Sequence, residues 1–297
     1  AIMDKPTASG SKAGKMLKLL IKIAVSVLCL WYVSRKIDFS AAASALQKAS
    51  YGWIILAFVS FVISKILSSI RLNLYFRDIN LNLSEADNLR LYWMGMFYNL
   101  FLPGSISGDA YKVIVLSKRY QLSYKKTTAA VLLDRLSGLL GLGLILAAYA
   151  FPVLKPIWLG LAVAGCALLA VGGLYFVINK WFPDFKRSFL PTLSWGLTVQ
   201  AMQVICVYFI LQALHLNDHR QEYVFLFLIS SMASVLPLTI GGGLGIREVV
   251  FVEGAAYLAV AGSQAAVVSI LFYLITLFTS FWGVIYTFRE PIRNELK

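Results

Sequence analysis

Six stretches of this chain, at about residues 16–34, 52–70, 128–150, 156–179, 189–213 and 264–287, are almost wholly apolar. Each approaches the roughly 20 residues needed to cross about 30 Å of hydrocarbon. This constrains the fold more than any other feature, because a backbone inside lipid must satisfy its own N–H and C=O groups. Helices do so within one segment. The runs therefore predict an all-α polytopic membrane protein. Composition agrees: only 14% of residues are charged and 59% are hydrophobic, whereas soluble domains carry about a quarter charged residues. The first run follows Lys5, Lys12, Lys15 and Lys18 and so imitates a secretory signal, but its length and the Arg35-Lys36 pair behind it favour a retained span. Residues 1–15 are expected to be disordered, 16–290 to form one transmembrane domain, and 291–297 to be a cytoplasmic tail. Residues 39–49 read as a short interfacial helix.

Two further apolar stretches do not read as simple spans. The first runs from Leu91 to Leu102, breaks at Pro103-Gly104-Ser105-Ile106-Ser107-Gly108-Asp109, and continues to Leu116. The second runs from Tyr223 to Leu236, breaks at Pro237-Leu238-Thr239-Ile240-Gly241-Gly242-Gly243-Leu244-Gly245, and continues to Ala261. Irregular backbone at membrane depth persists only where it is buried in protein or lines a wet cavity. The stretches also form a weak internal repeat: Leu102-Pro103 recurs as Leu236-Pro237 after 134 residues, and Ala129-Ala130-Val131 as Ala265-Ala266-Val267 after 136. Such repeats are common in secondary transporters.

The formal net charge of +13 needs no nucleic-acid partner, because cytoplasmic loops of membrane proteins collect Lys and Arg. That rule orients the broken stretches. If both are re-entrant hairpins, 18 of the 27 basic residues fall inside, Arg71, Arg77 and Arg90 among them. Five fall outside, and Lys65, Lys112, Arg135 and Arg247 lie at membrane depth. A full crossing at the first break would put Lys118, Arg119, Lys125 and Lys126 outside and weaken the bias. Three full spans separate the breaks, so the hairpins are expected to enter from opposite faces as an inverted repeat, with both termini cytoplasmic.

An ionisable group at membrane depth costs roughly 2.5–3.5 kcal/mol on insertion scales. Three clusters stand out: Gly108-Asp109 with Lys112, Asp134-Arg135, and Arg247-Glu248 with Glu253 beyond. Adjacent helical residues point about 100° apart, so neither Asp134-Arg135 nor Arg247-Glu248 is a self-contained pair, and each is expected to reach another element. Lys112 can also snorkel, and packing is the preferred reading of Glu253 and Lys65. The second arm of each hairpin starts as a helix after glycines, with free N–H groups and a positive dipole end at the break. A lipid phosphate suits that position, with Arg247, Arg135 and Lys112 adding charge. Asp109, Asp134 and Glu248 could orient the arginines, bind a basic headgroup moiety or carry a proton. Pro103, Gly104, Gly108, Pro237, Gly241, Gly242, Gly243 and Gly245 are expected to line the site. The glycine run is neither a P-loop nor a dinucleotide fingerprint, since no Lys-Ser/Thr follows and no strand precedes it. Cys29, Cys166 and Cys206 read as small buried apolar residues, and His215 and His219 lack companions for a metal set. No cofactor is expected.

Asn99 through Pro103-Gly104, Gly108-Asp109, Asp134-Arg135, and above all Pro237 with Gly241-Gly242-Gly243-Leu244-Gly245-Ile246-Arg247-Glu248, resemble the lysylphosphatidylglycerol synthase transmembrane family. This is the flippase-like membrane portion of the bacterial multiple peptide resistance factor. The resemblance covers about residues 16–290. It implies a protein of a bacterial or archaeal cell membrane that moves a lipid between leaflets. In the resistance factor that lipid looks to be an aminoacylated phosphatidylglycerol. No aminoacyl-transferase domain follows Lys297 here, so the expectation widens to other phospholipids, polyprenyl-phosphate-linked sugars and glycolipids.

The leading expectation is an ATP-independent lipid flippase with the bilayer and a phosphate-containing lipid as partners, and not an enzyme. One alternative is an accessory subunit that binds a synthase or transferase. The other is a lipid-modifying enzyme using Asp109, Asp134, Glu248 and Glu253, for which no nucleophile–base constellation is visible.

Overall fold

The computed structural model describes Trp31, residues 39–101, 106–235 and 245–288, and Ile292. The described residues form helices and turns without strands. A short helix, α1 (Phe39–Gln47), precedes the long α2 (Tyr51–Asp78). Two short helices follow, α3 (Glu85–Phe101) and α4 (Ser107–Arg119). Then come the long helices α5 (Tyr124–Val153), α6 (Ile157–Trp181) and α7 (Phe189–Ala213), the last entered through a 3₁₀ turn, Pro183–Ser188. A second short pair, α8 (Arg220–Ser234) and α9 (Ile246–Tyr257), leads into α10 (Gly262–Phe281) and a closing 3₁₀ turn, Trp282–Thr287.

Among the described residues, five segments are long and apolar enough to cross a membrane: Tyr51–Asp78, Tyr124–Val153, Ile157–Trp181, Pro183–Ala213 and Gly262–Thr287. They coincide with five of the six spans read from sequence. Apart from Trp31, the run at 16–34 lies outside the described residues. The α3, α4, α8 and α9 helices have 17, 13, 15 and 12 residues. At 1.5 Å per residue they measure only about 18 to 26 Å, short of a full crossing.

Each short pair is held by an intimate glycine contact. Tyr98 meets Tyr111 edge to face, and Ser107 Oγ donates to the Tyr98 carbonyl at 2.7 Å, so α3 and α4 run antiparallel. Gly95 and Gly108 sit backbone to backbone at their crossing: a methyl added at Gly108 would lie 2.0 Å from the Gly95 carbonyl oxygen. A methyl at Gly254 of α9 would meet Leu226 Cδ2 of α8 at 2.2 Å. Lipid supplies no hydrophobic drive between helices, and small residues at crossings give the close packing that replaces it.

The apolar interior is divided in two. One core gathers Phe61 of α2, Leu142 and Leu146 of α5, Val207 and Ile210 of α7, Phe227 of α8, Phe251 of α9 and Phe272 of α10. The other gathers Leu72, Tyr75 and Phe76 of α2, Leu91 and Met94 of α3, Leu116 of α4, and Ala130 and Leu133 of α5. Between them the same long helices turn polar: Ser64, Ser68 and Arg71 on α2, Asp134 and Ser137 on α5, and Gln200 and Gln203 on α7 are all buried. The α6 helix stands at the periphery, burying only Gly160 and Ile178. For that reason Cys166, on α6, is exposed and not the buried residue its apolar run suggested, whereas Cys206 on α7 is buried.

Candidate functional site

The polar belt is the candidate site. Ser60, Ser64, Ser68, Arg71 and Tyr75 recur at spacings of three and four, so one face of α2 carries them past the neighbouring helices. Arg71 is 4% exposed, and its Nε donates to Asp134 Oδ1 at 2.8 Å across the α2–α5 contact. The space for its guanidinium is made by glycine. A methyl at Gly138 of α5 would lie 2.9 Å from Arg71 Nη1, and one at Gly196 of α7 would lie 3.7 Å from it. Arg71 Nη1 is buried without a hydrogen-bond partner among the described residues. The sequence reading placed Arg71 in a cytoplasmic loop; instead α2 runs on to Asp78 and carries Arg71 into the interior.

Asp109, in the first turn of α4, is held from two sides. Arg135 Nε of α5 donates to its Oδ2, and Lys112 Nζ lies 3.3 Å from its Oδ1. Lys112 does not snorkel. It is 4% exposed, its stem fills the space beside Gly95, and its ammonium sits 4.5 Å from the centroid of the Tyr92 ring. The α4 N-terminus is closed by Asn99 of α3, whose Oδ1 accepts from Gly108 N at 2.9 Å.

At the second pair, Gly245 adopts φ 93°, a conformation open to glycine at no steric cost, and lets the chain turn into α9. Glu248 folds back so that its Oε2 accepts from Gly245 N at 2.7 Å, and Ser269 Oγ of α10 donates to its Oε1 at 3.2 Å. Glu248 thus occupies an orphan N–H that the sequence reading offered to a phosphate. Arg247 points elsewhere. It is 5% exposed, stacks 4.7 Å above the Phe272 ring, and keeps Nε and Nη2 buried without a hydrogen-bond partner among the described residues. Glu253 is exposed. Pro103, Gly104, Pro237, Gly241, Gly242 and Gly243 lie outside the described residues.

A cavity of about 220 Å³ opens within the belt, lined by Lys65, Ser68, Arg71, Tyr92, Arg135, Gln200 and Gln203 together with apolar side chains. Its described lining has three cationic side chains and no carboxylate. Lys65 rests 4.5 Å over the Phe61 ring and is within Coulombic reach of both Arg71 and Arg247. Asp109 and Asp134 hold Arg135 and Arg71 without lining the cavity themselves. The sequence reading set Lys65 aside as packing and missed Gln200 and Gln203, which sit three apart on an otherwise apolar α7. Two glutamines at that spacing inside a span are the signal that pointed to them.

These features define a multi-pass α-helical membrane protein with a cation-lined interior. The profile of the family described as "Lysylphosphatidylglycerol synthase TM region" matches residues 19–283, and the chain belongs to that family. It is also similar to the UPF0104 membrane protein PH1989 of Pyrococcus horikoshii, with 24% identity over an alignment covering 90% of this chain and 93% of that protein.

Proposed function

We propose that this protein carries a lipid with an anionic, phosphate-containing headgroup between the leaflets of a bacterial or archaeal cell membrane, and that it performs no chemistry on it. One observation carries the reading: a cavity at membrane depth lined by Lys65, Arg71 and Arg135, with no carboxylate in its described lining. Buried charges are costly unless paired and hydrogen-bonded, so the unfilled Nη1 of Arg71 there, beside Lys65, calls for an anion. Phosphate oxygens match them, and Arg binds phosphate in a bidentate fork. Asp109 and Asp134 then orient the arginines and share their charge while the site is empty.

In this reading α3–α4 and α8–α9 are re-entrant hairpins from opposite faces, and α2 to α5 and α7 to α10 are the two inverted halves. Their shortness and the partition of the interior into two apolar cores support it. Both termini are then cytoplasmic. Movement of the halves about the polar belt would expose the cavity to each leaflet in turn, the usual logic of inverted repeats.

The test is reconstitution in liposomes with fluorescent phosphatidylglycerol and leaflet-selective quenching. Wild-type protein is expected to speed exchange without nucleotide, and Lys65→Gln, which removes a cation from the cavity lining, to slow it at least tenfold. Conversion of the lipid into a new chemical species would replace this reading with an enzyme. Inactivity toward phosphate-bearing lipids would remove it.

A further inference from the structure

A second opening lies on the outer side of the polar belt. The α4 and α5 helices leave between them a groove of about 330 Å³, lined by Ala110, Val113 and Ile114 from α4 and by Thr128, Val131 and Leu132 from α5. Ile114 and Leu132 are 46% and 51% exposed, so the groove faces the lipid side of the molecule. On α5, Thr128, Leu132 and Arg135 stand at i, i+4 and i+7, and Ile106 at the N-cap of α4 with Asp109, Ala110 and Val113 within it follow i, i+3, i+4 and i+7, so each helix gives one face to it. The groove is apolar except at one end, where the Asp109–Arg135 pair closes it.

Arg135 lines both this groove and the cation-lined cavity. No other described residue is common to the two. The Arg135 side chain is 34% exposed, against 13% for Asp109. The Asp109–Arg135 pair therefore stands where an apolar, lipid-facing groove meets a cationic cavity. A phospholipid matches both parts: its chain covers the groove, and its phosphate can take the arginine from Asp109.

We infer that the α4–α5 groove is the lateral portal of the transport site, seating one acyl chain of the phospholipid while Arg135 exchanges Asp109 for its phosphate. The headgroup passes through the polar cavity and the chain stays in the bilayer. Arg135 is the hinge of that arrangement because it is the one described side chain reachable from both sides. The inference rests on the transport reading above for the direction of use, and on the groove alone for the acyl chain.

The experiment uses full-length protein in phosphatidylcholine liposomes containing phosphatidylglycerol with a diazirine in its acyl chain, with crosslinks mapped by mass spectrometry. Flipping of fluorescent phosphatidylglycerol is measured on the same preparations. Crosslinks are expected on the groove residues of α4 and α5 at least fivefold above those on the exposed face of α6. Ala110→Trp and Thr128→Trp, which fill the groove from opposite walls, should each remove them and slow flipping at least tenfold. Leu169→Trp, on exposed α6, should change neither. Melting in detergent, with the graded Ala110→Val alongside, separates blockage from misfolding. Even labelling around the lipid-facing surface means annular lipid only and overturns the portal, as does wild-type flipping by both folded tryptophan variants. Groove labelling without any flipping by wild-type protein would retain the acyl site and remove the transport reading. Flipping without groove labelling would do the reverse.

Discussion

The two broken helix pairs solve the same problem in different ways. Around α3–α4 each of three membrane-depth cations has a carboxylate partner: Asp109 holds Lys112 and Arg135, and the neighbouring Asp134 holds Arg71. In α8–α9 the cation has no carboxylate at ion-pair distance among the described residues. Glu248 spends its oxygens on its own helix start and on Ser269 and reaches Arg247 only through its charge, so Arg247 stacks on Phe272 with two donors unmet among the described residues. A matched cluster keeps the empty protein stable, and an unmatched cation beside it creates the demand for a ligand. The asymmetry suggests that the first pair is a scaffold that opens by exchanging partners, while the second contributes fixed attraction.

The largest expected effect breaks the matched side. Asp109→Ala removes the carboxylate beside the buried Lys112 ammonium, and removing one partner of a buried pair costs about 3–5 kcal/mol. A loss of that order should appear in denaturant titration of the protein in mild detergent. The opposite sign is expected on the unmatched side. Arg247→Met keeps a flexible apolar stem over Phe272 and deletes a buried charge with two unmet donors, so stability should rise by about 1–3 kcal/mol while flipping is slowed. A stability loss equal to that of Asp109→Ala would erase the contrast.

Glycine packing sharpens the comparison at smaller magnitude. In Gly108→Ala the new methyl meets the Gly95 carbonyl backbone, which has nowhere to go, and the helices must separate at a cost of about 2–3 kcal/mol. In Gly254→Ala the obstacle is the end of the Leu226 side chain, which can change rotamer, so about 1 kcal/mol is expected. Equal melting shifts for the two would show that the pairs are packed alike. Of similar size, Glu248→Ala should cost about 1 kcal/mol through the lost cap on α9, with the same assay detecting it.

Much of the helical order was legible because lipid forces it. The runs at 52–70, 128–150, 156–179, 189–213 and 264–287 contain too few polar groups to be anything but helix, and helices stand there. Asp134 and Arg135 were legible as residues that must reach other elements, since neighbours on a helix diverge. Which elements they reach was not legible: Arg71 looked like the basic end of a span, because charge was taken as the boundary. Leu72, Tyr75 and Phe76 continue the helical apolar spacing beyond it, and that continuation was the signal that α2 had not ended. Gly138 and Gly196 could not be recognised as the walls of an arginine pocket, because a contact between α5 and α7 leaves no mark in either segment alone. Glu248 had two chemically reasonable partners, a ligand and its own helix start, and only the fold of the turn at Gly245 decided between them.

The central claim is that the interior binds the phosphate of a lipid. It is tested most directly by thermal unfolding of the detergent-solubilised protein with dioctanoyl phosphatidylglycerol or with dioctanoylglycerol, which has the same chains and no phosphate. A ligand at 100 times its dissociation constant stabilises by about 2.7 kcal/mol. Phosphatidylglycerol is predicted to raise the melting temperature of wild-type protein with saturation, dioctanoylglycerol to raise it far less, and Lys65→Gln in the cavity lining to lose most of the difference. Equal stabilisation by the two lipids, or a difference that survives Lys65→Gln in full, would contradict it.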